Sequence, residues 1–156
     1  AYGMTRDVEL KEPAQLAIDF ISYAQDPRGG GWRYEPQERG DTSVVGWQLM
    51  ALKSGHLAGL PVQPRTIERA GMFLENVSDR QGAYYGYQDD DRGQATTAIG
   101  LLCRMYTGWG HEHPGLARGV AYLDERGPSK DNMYYNYYAT QVMCHFGGRE
   151  GQRWNG

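Results

Sequence analysis

Two short polar segments of the sequence carry side chains that could bind a metal ion. Residues 111–113 read His-Glu-His, and residues 89–91 are three aspartates. Imidazole and carboxylate groups are common ligands of divalent metals. The first segment is followed by Pro114 and the second by Arg92 and Gly93, which is typical of solvated loops. We therefore interpret both segments as loops and predict no metal site.

A second set of candidate residues is aromatic and lies in three segments that we predict to be loops. These segments are residues 32–34, 84–87 and 134–138. Their rings could wedge neighbouring helices together, or some of them could line a pocket for an apolar or carbohydrate-like ligand. With Trp47 and Asn136 added, the candidate ligand-binding residues are Trp32, Tyr34, Trp47, Tyr84, Tyr85, Tyr87, Tyr135, Asn136 and Tyr137.

Pairs of helices would position these segments. The first helix of each pair is amphipathic, as where Ala14, Ala17, Ile18 and Ile21 follow the i, i+3, i+4, i+7 spacing. The second helix, as in residues 44–52 or 98–103, is apolar on nearly all sides, which is typical of a helix that is buried all round. The pattern recurs roughly every 50 residues. The sequence therefore predicts an all-α layered arrangement of three helical hairpins, with outer amphipathic and inner apolar helices.

Capping residues mark where the inner helices should begin and end. Short polar side chains accept hydrogen bonds from the free N–H groups of a first turn, and glycine adopts the left-handed conformation after a last turn. The N-cap candidates are Asp41, Thr42, Thr96 and Thr97, and the glycines expected to end helices are Gly55, Gly108 and Gly147.

Both ends of the chain resemble incomplete units of this pattern. Residues 1–4 resemble the close of an inner helix, and residues 151–154 resemble the opening of a further segment. We expect residues 1–156 to form one repeat domain of a longer repeat protein. A cut array exposes apolar helix sides, so the expected partners are the rest of the parent chain or a second copy.

One motif in the first pair resembles a known family. Phe20-Ile21, Gln25, Gly30 and Trp32 resemble the aromatic, Gln, Gly-x-Trp repeat of squalene and hopene cyclases. Residues 70–84 resemble a degenerate second copy, and residues 118–123 the start of a third. The resemblance implies an α/α toroid, the fold that terpenoid cyclases share with the β subunits of protein prenyltransferases, in which inner helices surround an aromatic-lined cavity.

The catalytic groups that the resemblance implies are missing from the matching positions. Cyclases carry Asp-x-Asp-Asp-Thr-Ala at the start of an inner helix, where this chain has Gly93, Ala95 and Thr96 in place of the acids. Prenyltransferases bind zinc through an Asp, a Cys and a His. Asp41 matches the first and is interpreted as an N-cap, while Ser43 and Tyr135 stand in place of the Cys and the His, and their hydroxyls do not replace thiolate and imidazole.

The composition excludes other classes of protein. Lys and Arg number 16 against 19 Asp and Glu, so no basic surplus indicates a nucleic-acid partner. No apolar run is long enough for a membrane span. Cys103 and Cys144 lie in apolar stretches and are expected to be buried thiols.

The sequence thus favours a squalene cyclase-like, prenyltransferase-like repeat domain that acts as a non-catalytic binding or scaffold module without a cofactor. Two alternatives stay open. One is a fragment of a terpenoid cyclase of the squalene or hopene type, whose catalytic acid lies outside this chain. The other is a polysaccharide-degrading enzyme on a similar barrel, which requires that residues 89–91 bind a divalent cation.

Overall fold

The computed structural model of the protein describes residues 1–79 and 81–155. Within these residues the chain is all-helical, as the sequence predicts, with eight α-helices and one short 3-10 helix, Val8–Leu10. One isolated antiparallel bridge joins Ser78 and Tyr85. The α-helices are α1 (Tyr2–Thr5), α2 (Lys11–Ala24), α3 (Thr42–Leu57), α4 (Pro64–Asn76), α5 (Gln94–Tyr106), α6 (Pro114–Arg126), α7 (Met133–Phe146) and α8 (Gly148–Asn155).

The contacts divide the chain into two compact units, residues 1–73 and a second unit that begins at Leu74. The core of the first unit includes Ile18, Val45, Leu49 and Leu52, from α2 and α3. The core of the second unit is dominated by α5, which is buried continuously from Thr97 to Arg104. The predicted burial of that helix on all sides is therefore confirmed. The same prediction fails for α3, because its Trp47 is 49% exposed.

The predicted helix ends are correct where the capping residue acts on the adjacent turn of its own helix. Asp41 is the N-cap of α3, and its Oδ1 accepts a hydrogen bond from the Val44 N–H at 2.9 Å. Gly147 follows α7 with a φ of 70°. Gly55 does not end α3 but lies buried inside it, where its missing side chain makes room for Ile18.

The predicted N-cap of α5 is wrong. Gly93 occupies the N-cap position, and both threonines lie inside the helix. Their hydroxyls serve the preceding loop instead: Thr96 Oγ1 donates to the carbonyl oxygen of Tyr85 at 2.7 Å, and the Tyr85 N–H donates to Thr97 Oγ1 at 3.2 Å. The threonines thus fix the buried Tyr85 to α5.

Residues 25–41 connect α2 to α3 through a loop that buries one aromatic ring. The Asp26 N–H donates to the Gly31 carbonyl at 2.8 Å, and the N–H of the N-cap Asp41 donates to the Trp32 carbonyl at 3.0 Å. Gln25 is buried, and its Nε2 donates both to Gly30 O at 2.8 Å and to Thr66 O, in the first turn of α4, at 2.9 Å. Gln25 therefore ties this loop to the next helix along the chain.

Residues 77–93 connect α4 to α5 with the same backbone hydrogen bonds. The Asp79 N–H donates to the Tyr84 carbonyl at 3.0 Å, and the N–H of the N-cap Gly93 donates to the Tyr85 carbonyl at 3.0 Å. In both loops the carbonyl bonded to the N-cap belongs to an aromatic residue that is almost fully buried, Trp32 or Tyr85.

The third predicted aromatic loop is wrong. Residues 134–138 form the first turns of α7, which Asn132 caps by accepting the Tyr135 N–H at 2.9 Å. Tyr135, Tyr138 and Val142 are spaced i, i+3, i+7 and are all buried on one face of the helix. The run therefore folds as a helix because one side of it can be buried.

Gly100 offers a direct test of this packing. A Cβ at that position would overlap with the Tyr85 ring, because it would lie closer to the ring carbons than nonbonded atoms can approach. We expect Gly100→Ala to lower the free energy of unfolding by about 1–3 kcal/mol, as overpacking of a core does. Gly71→Ala is the matched control, since nothing lies within 4 Å of a Cβ on that α4 residue. The free energy of unfolding of this control should rise by about 0.5–1 kcal/mol, because alanine has a higher helix propensity than glycine. Urea unfolding measures both, and equal stability of the two variants contradicts the packing described above.

Candidate functional site

A pocket of about 140 Å³ lies beside the 25–41 loop in the first unit. One side comes from α2, one from the loop and one from α3. Its lining residues are Phe20, Ile21, Ala24, Trp32, Arg33, Tyr34, Pro36 and Gln48. Two of the nine sequence candidates, Trp32 and Tyr34, therefore line this pocket.

Trp32 forms a fixed wall of the pocket. The side chain is 2% exposed, and its Nε1 donates to the Ile21 carbonyl at 2.7 Å. That hydrogen bond satisfies the only polar atom of the indole and ties the loop to the last turns of α2. The wedge interpretation of Trp32 is therefore supported, and one edge of the same ring still lines the pocket.

The rim of the pocket is apolar and exposed. Phe20 is 57% exposed, Tyr34 is 79% exposed, and Pro36 lies beside them on the loop. The free energy falls when the surface of a large aromatic ring is removed from water, so exposed rings favour contact with an apolar ligand. Trp47, by contrast, is half-exposed on α3 but is not among the residues that line this pocket.

Arg33 lies between the pocket and a buried carboxylate. Its Nε is 3.9 Å from Asp41 Oδ2, and the Asp41 side chain has no exposed surface. Asp41 Oδ2 accepts no hydrogen bond from the described residues. The separation of 3.9 Å is too long for a hydrogen bond, so Asp41 attracts the guanidinium without using its N–H donors. Sequence reasoning did not select Arg33.

Two shallower cavities continue along the same loop. One of about 480 Å³ is lined by Arg33 and Tyr34 together with Glu35, Glu38 and Arg39. The other, of about 370 Å³, is lined by Asp26, Arg28, Gly29, Gln37 and Arg39. Both linings carry acidic as well as basic side chains, whereas Arg33 is the one charged side chain among the described residues that line the pocket beside Trp32.

The tyrosines of the 77–93 loop differ in their exposure to solvent. Tyr85 is fully buried; its hydroxyl donates to the Gly82 carbonyl at 3.0 Å and accepts from Arg104 Nε at 3.1 Å. Burial raises the pKa of Tyr85 to about 12. Tyr87 is 41% exposed. Tyr85 therefore has a structural role, which the ligand-binding hypothesis did not foresee.

Tyr84 forms a cation–π cluster. The Arg92 guanidinium carbon lies 3.9 Å from the centroid of the Tyr84 ring and 4.3 Å from that of Tyr122. The two rings are perpendicular, with centroids 5.3 Å apart. Because a guanidinium already covers the Tyr84 ring, that face is occupied by the protein's own cation.

The α7 candidates also differ in environment. Tyr135 is buried, and its hydroxyl donates to the Gly127 carbonyl at 3.3 Å. The Asn136 amide makes two hydrogen bonds with the backbone of Ser129, at 2.8 and 2.7 Å, and so holds the preceding loop. Tyr137 is 45% exposed on the opposite side of the helix. These bonds account for Tyr135 and Asn136 without a ligand.

The polar segments fold as loops. His113 caps α6, with its Nδ1 accepting the Gly115 N–H at 3.2 Å, and its ring stacks on Trp109. Residues 89–91 are exposed. Across the described chain, no group of three or more His, Cys, Asp or Glu side chains could hold a metal ion.

The two cysteines differ in burial. Both are free thiols; Cys103 is buried as predicted, and burial raises its pKa to about 12. Cys144 is exposed, which contradicts its expected burial, because it faces away from the buried stripe of α7.

None of the helices in the described part of the chain is both long and apolar enough to cross a bilayer. No protein-family model, no curated protein and no solved structure matches this chain.

Proposed function

We propose that the protein is a squalene cyclase-like and prenyltransferase-like repeat domain that binds a small apolar ligand and has no catalytic activity of its own. In this proposal the helices belong to an α/α toroid, and the ligand site is the pocket beside Trp32. The observation that carries the binding function is that pocket, in which a rigid indole wall is bordered by the exposed rings of Phe20 and Tyr34.

Two observations support the toroid arrangement. The 25–41 and 77–93 loops share one hydrogen-bonding scheme although their sequences differ. Gln25, the Gln of the family-like motif, bonds to the loop glycine and to the carbonyl of Thr66 in α4. A side chain that joins one helix pair to the next is what stacked repeats require, because each repeat contacts mainly its neighbours.

The residues at the catalytic positions of the resembled families support a non-catalytic role. A proton donor requires a carboxylic acid, and Gly93, Ala95 and Thr96 supply none. Asp41 lies at the start of α3, but one of its oxygens caps that helix and the other faces Arg33. Asp41 thus has a structural role as the N-cap of α3.

The ligand proposed here is apolar because six of the eight described lining residues are aliphatic or aromatic. Ligand sites are concave and predominantly hydrophobic, with few polar groups that orient the ligand. Gln48, Arg33 and the hydroxyl of Tyr34 are the polar side-chain groups among the described lining residues.

Titration with benzyl alcohol tests the binding function. The Trp32 indole N–H, assigned by substitution among the four tryptophans, should shift in two-dimensional NMR spectra and saturate. A Kd of roughly 1 mM, or about 4 kcal/mol, is the expected order for so small a ligand. Ala24→Leu fills the pocket and should abolish the shift. Ala17→Leu, on an exposed position of the same helix, should leave it unchanged.

Two results contradict the proposal. One is a Trp32 signal that does not shift in the wild type. The other is saturable binding that survives Ala24→Leu, because it would place the ligand elsewhere.

A further inference from the structure

We infer that the pocket beside Trp32 takes an aromatic monocarboxylate, whose ring lies among the apolar side chains and whose carboxylate pairs with Arg33. This inference rests on the proposed binding function and adds the chemical class of the ligand.

The first step is the charge of the lining. Among the described residues that line the pocket, Arg33 alone has a charged side chain. A guanidinium at the edge of an apolar cavity favours a ligand that carries one negative charge next to an apolar body. Arg donors match a carboxylate in a bidentate, charge-assisted arrangement, which is stronger than a neutral hydrogen bond.

The second step is the carboxylate behind Arg33. Asp41 is rigid, because its Oδ1 accepts the Val44 N–H and its side chain is fully buried. Its Oδ2 attracts Arg33 at the Nε side from 3.9 Å. This contact holds the guanidinium at its Nε side, and in the inference the terminal Nη groups receive the ligand carboxylate. Asp41 thus acts as a positioning residue for Arg33.

The third step is size. A dry apolar cavity of about 150 Å³ is large enough to bind benzene, and the pocket measures about 140 Å³. One aromatic ring therefore fills it, and the carboxylate attached to that ring lies at the edge, where Arg33 is. Phe20 and Tyr34 offer faces against which a flat ring can stack.

The fourth step limits the ligand to one carboxylate. Glu35 and Glu38 line the adjacent cavity together with Arg39. Glu38 Oε2 accepts the Glu35 N–H at 3.4 Å, so that carboxylate lies on its own loop. A second negative charge on the ligand would approach these acids, and like charges repel.

Benzoate and benzyl alcohol form the test, since the two probes share a ring and differ in charge. The wild type should bind benzoate about tenfold more tightly than benzyl alcohol, as expected for one charge-assisted pair. Arg33→Gln should remove that preference, so that the variant binds the two probes with equal affinity. Arg28→Gln is the matched control, because Arg28 is exposed on the same loop but lines a different cavity.

The outcomes separate this inference from the proposed function. If benzyl alcohol binds and benzoate binds no better, the carboxylate inference is wrong while the apolar site stands. If neither probe binds, the proposed function fails, and this inference fails with it. A benzoate preference that persists in Arg33→Gln also overturns the role of Arg33. The wild-type comparison decides the charge question even if the variant folds poorly.

Discussion

Trp32→Ala is expected to lower the free energy of unfolding by about 3–5 kcal/mol, the range for removing a large aromatic side chain from a core. The indole is 2% exposed and donates its N–H to the Ile21 carbonyl. The substitution leaves a cavity between α2 and the 25–41 loop and an unpaired carbonyl at the end of α2. Thermal and urea unfolding, monitored through amides of residues 1–73, measure the loss.

Trp47→Ala is the matched control for this prediction. Trp47 is 49% exposed on α3, in the same unit, so its removal takes less surface out of the core. We expect a clearly smaller loss of stability than for Trp32→Ala. If Trp32→Ala has an unchanged melting temperature, Trp32 does not have the structural role described above.

Alkaline unfolding is the second large effect that we expect. Burial raises the pKa of Tyr85 and Tyr135 from 10.0 to about 12 and that of the Cys103 thiol from 9.0 to about 12. Burial also raises the pKa of Tyr138. Below pH 9 these groups are protonated in both the folded and the unfolded chain, so the fold has its full stability there.

Stability falls as the pH rises from about 9 to 12, because the unfolded chain releases these protons first. A difference of one between the folded and unfolded pKa corresponds to about 1.36 kcal/mol. Tyr85 alone therefore accounts for roughly 2–3 kcal/mol. Tyrosinate absorbance and near-ultraviolet circular dichroism should change together in this interval, because ionisation of the buried tyrosines and unfolding are coupled.

Tyr85→Phe provides the control for the alkaline prediction. This variant lacks the phenol, so its unfolding free energy should decline less steeply between pH 10 and 12 than that of the wild type. It should be less stable at neutral pH, because Arg104 Nε loses its acceptor. Tyrosines that all titrate near pH 10 with the circular dichroism unchanged would contradict the described burial.

The helices themselves could be predicted because their signals are local. The apolar spacing in residues 14–24 and the continuous apolar run in 98–103 operate over one or two turns. Asp41 caps α3 as expected, since an N-cap side chain needs only the N–H groups of the following turn. Gly147 ends α7 for the same local reason.

Predictions failed where a neighbouring segment competes for the same group. Thr96 and Thr97 look like N-caps, but the backbone of Tyr85 takes their hydroxyls. Gly55 resembles a helix stop, yet it lies inside α3, where Ile18 packs against the space that a side chain would fill. In each case the deciding contact joins residues that are distant in sequence.

The candidate site was predicted only in part. Aromatic composition indicated Trp32 and Tyr34, but it did not distinguish the buried ring from the exposed one, nor the buried Tyr135 from the exposed Tyr137. That distinction depends on which side of a loop or helix packs against the core, and the residue type alone does not give that side.

The sequence by itself determined that the chain is all-helical and where most of its helices lie, since both follow from hydrogen bonds and side-chain spacing within single turns. Only the tertiary structure decided which aromatic rings are buried and that Arg33 lies between a pocket and the carboxylate of Asp41. The physical reason is that α2, the loop and α3 must all be folded before Phe20, Arg33 and Gln48 line one pocket. A local sequence pattern does not contain information about contacts between such distant segments.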